Sequence, residues 1–213
     1  MAELNVAQIF IAFLVLLFSL TVHEAAHAWA AHRCGDETAR LMGRMTLNPL
    51  VHIDIVGTVV FPLMAIATSV PVIGWAKPVP VNLLQLRHYR RDSILVAAAG
   101  PASNLLLAAV AAVVIRMIPS GFFAAAGPGV AAPLIELLGR MLEMNVLLAI
   151  FNMLPIPPLD GSGVLEGVLP ARWSGAFDMV RPYGFLVLYG LMFSGWLAVL
   201  ITRPYSMVMS WLL

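Results

Sequence analysis

Five consecutive residues carry the sharpest chemical signal in the chain: His23-Glu24-Ala25-Ala26-His27, an H-E-x-x-H pattern. On a helix, four residues turn about 400°, which leaves the two imidazoles about 40° apart on one face. From that face both rings can reach a single Zn²⁺ at about 2.0–2.1 Å. Glu24 falls on the flank, placed to hydrogen-bond a water at the metal rather than the metal itself. A carboxylate so placed takes the water's proton as it attacks a carbonyl and then passes it to the leaving amine. The chemistry indicated is metal-assisted amide hydrolysis. A five-residue pattern also recurs by chance, but here three ionisable groups crowd a run otherwise apolar from Leu4 to Ala31. Ionisable groups at membrane depth are costly and mark function. With Arg33 at the interface, a rise of 1.5 Å per residue sets His23 to His27 roughly 9–15 Å inside it.

A catalytic zinc takes three protein ligands and keeps one position open for water. Asp160 is the strongest candidate for the third ligand, because it ends an apolar run and follows Pro155, Pro157 and Pro158, which break the helix just before it. A broken helix inside a membrane is tolerated where it lines a protein-buried, watered site. Glu166, Glu136 and Glu143 are its rivals. The last two are better explained, with Arg140, as a charged helix face at i, i+4 and i, i+3 spacing.

The elements that must position these groups are membrane helices. Of 213 residues, 61% are hydrophobic and 11% charged, against roughly a quarter charged in soluble domains. A net charge of +1, without a Lys/Arg cluster among aromatics, excludes a nucleic-acid partner. The single cysteine, Cys34, excludes an internal disulfide framework. The N-terminus lacks the basic region of a signal peptide, so the first apolar run is expected to be retained. The reading is an all-α polytopic membrane protein forming one membrane-embedded domain over 1–213. Full spans are expected at about 5–31, 93–117, 131–157 and 182–202, with a re-entrant region at about 55–82. A small β-hairpin or edge-strand element near the active site is expected from two stretches, Thr38 to Leu47 and Gly74 to Asn82. In the second, Pro78 and Pro80 forbid a helix and suit an edge.

Three motifs together carry a resemblance: His23-Glu24-Ala25-Ala26-His27 in the first span, Gly100-Pro101-Ala102-Ser103-Asn104 in the next full span, and Asn152, Pro155 and Leu159-Asp160-Gly161 beyond it. The chain resembles the site-2 protease family of intramembrane metalloproteases, in the short form without a PDZ domain, over residues 1 to about 170. The resemblance implies one Zn²⁺ per chain held by His23, His27 and Asp160, with Glu24 as the catalytic base. It also implies a transmembrane protein as substrate. Asn152, and less directly Asn104, are expected to bind substrate or polarise its carbonyl. The alternative for both is an interhelical hydrogen bond, worth about 1 kcal/mol in membranes.

A common zinc site places its ligands at one depth, so the chain must cross an even number of times between His27 and Asp160. The spans at 93–117 and 131–157 supply two crossings, which is why 55–82 is expected to turn back. That arrangement puts Arg33, Arg40, Arg44, Lys77, Arg87, Arg90, Arg91, Arg172 and Arg181 on one side and Arg116, Arg140 and Arg203 on the other. Nine against three makes the first side cytoplasmic by the positive-inside rule. The active site is therefore expected toward the cytoplasmic face of a plasma or inner membrane. A substrate laid along an exposed strand edge would be bound by its backbone. The competing function is a non-proteolytic membrane metal-binding or transport protein using the same ligands. Against it stand Glu24, which transport does not need, and the lack of a two-fold repeat among the spans. A zincin of another type, completed by Glu166, is the third reading. Nothing in the sequence specifies an oligomeric state.

Overall fold

The computed structural model describes residues 6–62, 64, 74–119 and 121–213. Helix α1, Val6–Cys34, is 29 residues long, about 43 Å at 1.5 Å per residue. Along it Val6, Phe10, Leu14 and Phe18 recur every four residues and stay exposed. That apolar stripe belongs against lipid, since a soluble fold would cover it.

After α1 the chain makes a single turn, α2 (Thr38–Leu41). The extended segment expected at Thr38 to Leu47 is therefore not found. Asp36 Oδ1 accepts from the Thr38 N–H at 2.9 Å and starts the turn, and Gly43 closes the region at φ +68°, a conformation that favours glycine. A one-turn 3-10 helix (Pro49–Val51) and a π-helical turn (Ile55–Val60) follow. The Asp54 carboxylate caps the π-helical turn through the Val56 and Gly57 N–H groups. Residues 63 and 65–73 of the expected re-entrant region lie outside the described residues. From 74 to 82 the chain carries no regular element, and no strand is found among the described residues. Pro78 and Pro80 lack the N–H groups a ladder needs, and Trp75, Lys77, Val79 and Asn82 bond to loops and side chains instead.

Helix α3, Tyr89–Met117, is the second 29-residue helix and the centre of the molecule. It packs against α1 on one side and against the 25-residue α5 (Pro128–Asn152) on another, with a short α4 (Phe122–Ala126) between. Ala108, Ala111 and Ala112 of α3 meet Leu142 and Val146 of α5 in a closed core. Small residues at that contact let the two helices approach closely. The short α6, Asp160–Val168, lies along the first half of α3, where Gly163 and Gly167 offer Ala97 and Ile94 a face without Cβ atoms. Helices α7 (Ala171–Val180), α8 (Gly184–Phe193) and α9 (Trp196–Leu212) complete the chain.

Among the described residues, α1 and α3 are long and apolar enough to cross a membrane, and the bent pair ending in α8 and α9 makes a third if it is one span. Helix α5 has the length, but every 18-residue window of it contains Glu136, Arg140 and Glu143. The continuous span expected at 182–202 is broken. Gly195 adopts φ +80°, ends α8 with a left-handed residue, and turns the chain by 81° into α9.

Candidate metal centre

Two turns of α1 present the imidazoles of His23 and His27, both nearly inaccessible at 4% and 8%. Close approach of α3 makes room for them only because residue 100 is glycine. A Cβ there would stand 2.3 Å from His27 Nε2 and 2.6 Å from His23 Nε2. On the other side, the turn after α5 delivers Asp160 as the first residue of α6. Gly161 is also forced, since a Cβ would stand 2.2 Å from the Met153 carbonyl oxygen. One ligand atom from each of His23, His27 and Asp160 lies within 4.8 Å of the others.

The outer nitrogens are already engaged. His27 Nδ1 donates to the Val96 carbonyl at 2.7 Å, and His23 Nδ1 meets Asn104 Oδ1 at 2.6 Å. Both Nε2 atoms thus turn inward as lone pairs, 3.0 Å apart. Asp160 Oδ2 is 3.1 Å from His23 Nε2, and Oδ1 is 3.3 Å from His27 Nε2. Asp160 Oδ2 is buried without a hydrogen-bond donor. With both imidazoles neutral and protonated at Nδ1, four acceptor atoms converge here and repel one another, a repulsion that a divalent cation would resolve. Two imidazoles and one carboxylate form a donor set suited to zinc.

Glu24 stands beside this group rather than in it. Its Oε2 accepts from the Val79 N–H at 2.8 Å, the only backbone N–H between Pro78 and Pro80. The same segment is tied down on its other edge. The Trp75 N–H donates to the Gly57 carbonyl and the Lys77 N–H to the His52 carbonyl. Arg44 reaches the Lys77 and Pro78 carbonyls at 2.6 and 3.2 Å. The Asn82 N–H donates to Asp36 Oδ2 at 2.7 Å. Burial pushes the Asp36 carboxyl up, but the hydrogen bonds from Thr38 and Asn82 outweigh it and hold the group below its ordinary value.

A cleft of about 580 Å³ opens over these residues, walled by Trp75, Ala76 and Val79 on one side and by Phe151, Asn152 and Leu188 on another. Asn152 lines it and donates Nδ2 to the Leu148 carbonyl at 3.0 Å. Asn104 does not line it. It is fully buried behind His23 and bonds to Asn145 of α5, the interhelical alternative expected for it. The rival ligand Glu166 is paired with Arg181 at 2.5 Å, and Glu136 with Arg140 at 2.8 Å. His52 directs Nε2 to the Thr46 carbonyl, and Asp54 caps the π-helical turn. Sequence reasoning passed over Asn145, which shares a face of α5 with Asn152 two turns away and bonds to Asn104. A lone amide in an apolar run was the available signal.

Residues 11–129 match the family model described as peptidase family M50. The chain is similar to "Putative zinc metalloprotease YwhC" of Bacillus subtilis, 37% identical over 177 residues that cover 82% of this chain and 76% of that protein. It is also similar to the proteins carrying the same description as Rip2. The Mycolicibacterium smegmatis protein is 33% identical over 177 residues, 83% of this chain and 64% of that one. The Mycobacterium tuberculosis protein is 30% identical over 175 residues, 81% and 62%. The chain thus spans less than two thirds of either Rip2 protein. No solved structure matches it significantly.

Proposed function

Since the chain belongs to peptidase family M50 and is a zinc metalloprotease of membranes, we propose that it hydrolyses peptide bonds within or near transmembrane segments of other membrane proteins. The active centre would be His23, His27, Asp160 and Glu24. The observation that carries this reading is the inward convergence of two Nε2 lone pairs and an orphaned carboxylate beside a separate carboxylate.

His23, His27 and Asp160 would hold one Zn²⁺, which when bound would supply Lewis acidity. Glu24 acts as the general base. The Val79 N–H fixes one of its oxygens, and the other takes the proton of the attacking water and delivers it to the leaving nitrogen. Asn152, on the cleft wall, has an amide N–H to spare for a substrate carbonyl.

A helical substrate hides its carbonyls in its own hydrogen bonds, so it must unwind to be cut. Residues 74–82 supply a place for the unwound stretch. Trp75 and Lys77 are bonded through both backbone groups, whereas the Ala76 N–H and carbonyl have no partner among the described residues and Ala76 lines the cleft. Added-strand pairing there binds backbone with little demand on side chains.

Residues 1–213 act as one membrane-embedded unit in which α1, α3, α5 and the broken α8–α9 pair cross the bilayer and 55–82 turns back. Adjacency of His23 and Asp160 supports an even number of crossings between them. The nine-to-three charge bias supports a cytoplasmic active site. The test compares membrane-protein termini by mass spectrometry in cells carrying wild type or Glu24→Gln. New termini inside transmembrane segments with wild type alone are expected, and Glu24→Gln retains zinc while losing about 10²–10⁴ in rate. Normal cleavage by that variant would remove Glu24 as the base.

A further inference from the structure

Asn145 is fully buried in the middle of α5 and touches neither zinc ligand nor cleft. Its neighbours dictate which end of its amide points where. Nδ2 donates to the Met141 carbonyl at 2.8 Å and to Ser19 Oγ at 2.9 Å. A backbone carbonyl can only accept, so the nitrogen must lie on that side. Reversing the amide would press two acceptor oxygens together inside a membrane, where neither finds water. The oxygen of Asn145 therefore faces Asn104 and accepts from its Nδ2 at 2.8 Å. With its nitrogen so committed, Asn104 has only Oδ1 left for His23, 2.6 Å from Nδ1. An amide oxygen also only accepts, so the proton sits on His23 Nδ1 and the lone pair on Nε2.

We propose that Asn145 is a positioning residue for the metal site. Working through Asn104, it sets the tautomer and the ring orientation of His23, and the Met141 carbonyl fixes the polarity of the whole relay. The proposal rests on the assignment of His23 as a zinc ligand made above. His27 needs no such device, because its Nδ1 meets the Val96 carbonyl directly. The two imidazoles are thus held differently, one by backbone and the other by a two-amide relay that starts at the Met141 carbonyl on α5. Ligating histidines usually depend on such outer partners, whose loss costs about 10–100-fold in metal affinity.

The experiment uses the full-length protein in detergent with ¹⁵N-labelled histidine, metal-free at about pH 9, where an ordinary imidazole is neutral. The His23 resonances are assigned with His23→Gln. In wild type His23 is expected as the Nδ1–H tautomer with a bare Nε2. In Asn145→Leu, which keeps the branched shape and removes the polarity, a mixture of tautomers is expected. Zinc affinity from chelator competition should also fall about 10–100-fold. An Nε2–H tautomer in wild type would overturn the relay. So would an Asn145→Leu protein with unchanged tautomer and unchanged zinc affinity. Should Asn145→Leu fail to fold, the wild-type spectrum still decides. Zinc binding that is indifferent to His23→Gln would instead sink the ligand assignment, a result distinct from either.

Discussion

Asp160 and Glu166 sit six positions apart on α6, and their partners separate their roles. Asp160 turns a donorless oxygen toward two imidazole lone pairs, whereas Glu166 is neutralised by Arg181. Asp160→Ala is therefore expected to lower zinc affinity by more than the roughly 100-fold at which loss of an outer partner tops out. Glu166→Ala should leave it unchanged and cost at most about 1 kcal/mol of stability, as partly exposed ion pairs do. Chelator competition and metal content measure the first, thermal unfolding the second. Equal zinc loss in both variants would reopen the third ligand. Single-residue chemistry was legible in the sequence where one helix supplies it. The spacing of His23, Glu24 and His27 is fixed by helical geometry alone. Asn104 stayed open between a substrate contact and an interhelical hydrogen bond for the opposite reason: residue type announces a polar group at depth but not which wall of the helix it lines. That depends on how α3 rolls against α1 and α5.

Gly100 is the point on which two elements depend. Gly100→Ala puts a methyl group where both imidazole rings already stand, so α3 must withdraw from α1. The expected cost is about 1–3 kcal/mol of overpacking, with loss of zinc, read by thermal unfolding and metal content. Retention of full zinc affinity would mean that the helices are less tightly apposed than described. A second element-level dependence lies outside the membrane, where Asp36 ties α2 and residue 82 to the end of α1. Its carboxyl titrates below the ordinary value, so its contribution to stability is fully present above about pH 4. That contribution is lost as the pH falls through the lowered folded-state value. Asp36→Asn should lower the unfolding temperature near neutrality and flatten its fall in that acid range, where wild type has lost the contribution too. An unaltered acid limb would assign it to other carboxylates. Helices α1 and α3 were legible because uninterrupted apolar length has one meaning in a bilayer. The break at Gly195 was not, since a glycine inside an apolar run is common in membrane helices and its left-handed φ is set by packing. The turn at Thr38 was hidden because Asp36 recruits the backbone with its side chain, a choice that alternation of residue types does not report.

At the scale of the whole molecule, the topology makes a prediction independent of catalysis. In a Cys34→Ser background, single cysteines introduced at Lys77 or Arg172 should react with a membrane-impermeant maleimide only from the cytoplasmic side. One at Gly127 should react only from the opposite side. Labelling of Lys77→Cys from the outside would mean that 55–76 crosses and stays across. The bond between Glu24 and the Val79 N–H has a consequence at this scale as well. It ties the proposed base to the same strip of chain proposed to receive the substrate. The distance from the first paired backbone group to the reacting carbonyl is then a property of the enzyme, as constant as the gap between a fence and a saw blade. Scissile bonds in unrelated substrates should share a fixed offset from the point where the helix unwinds. Their flanking residues need share nothing.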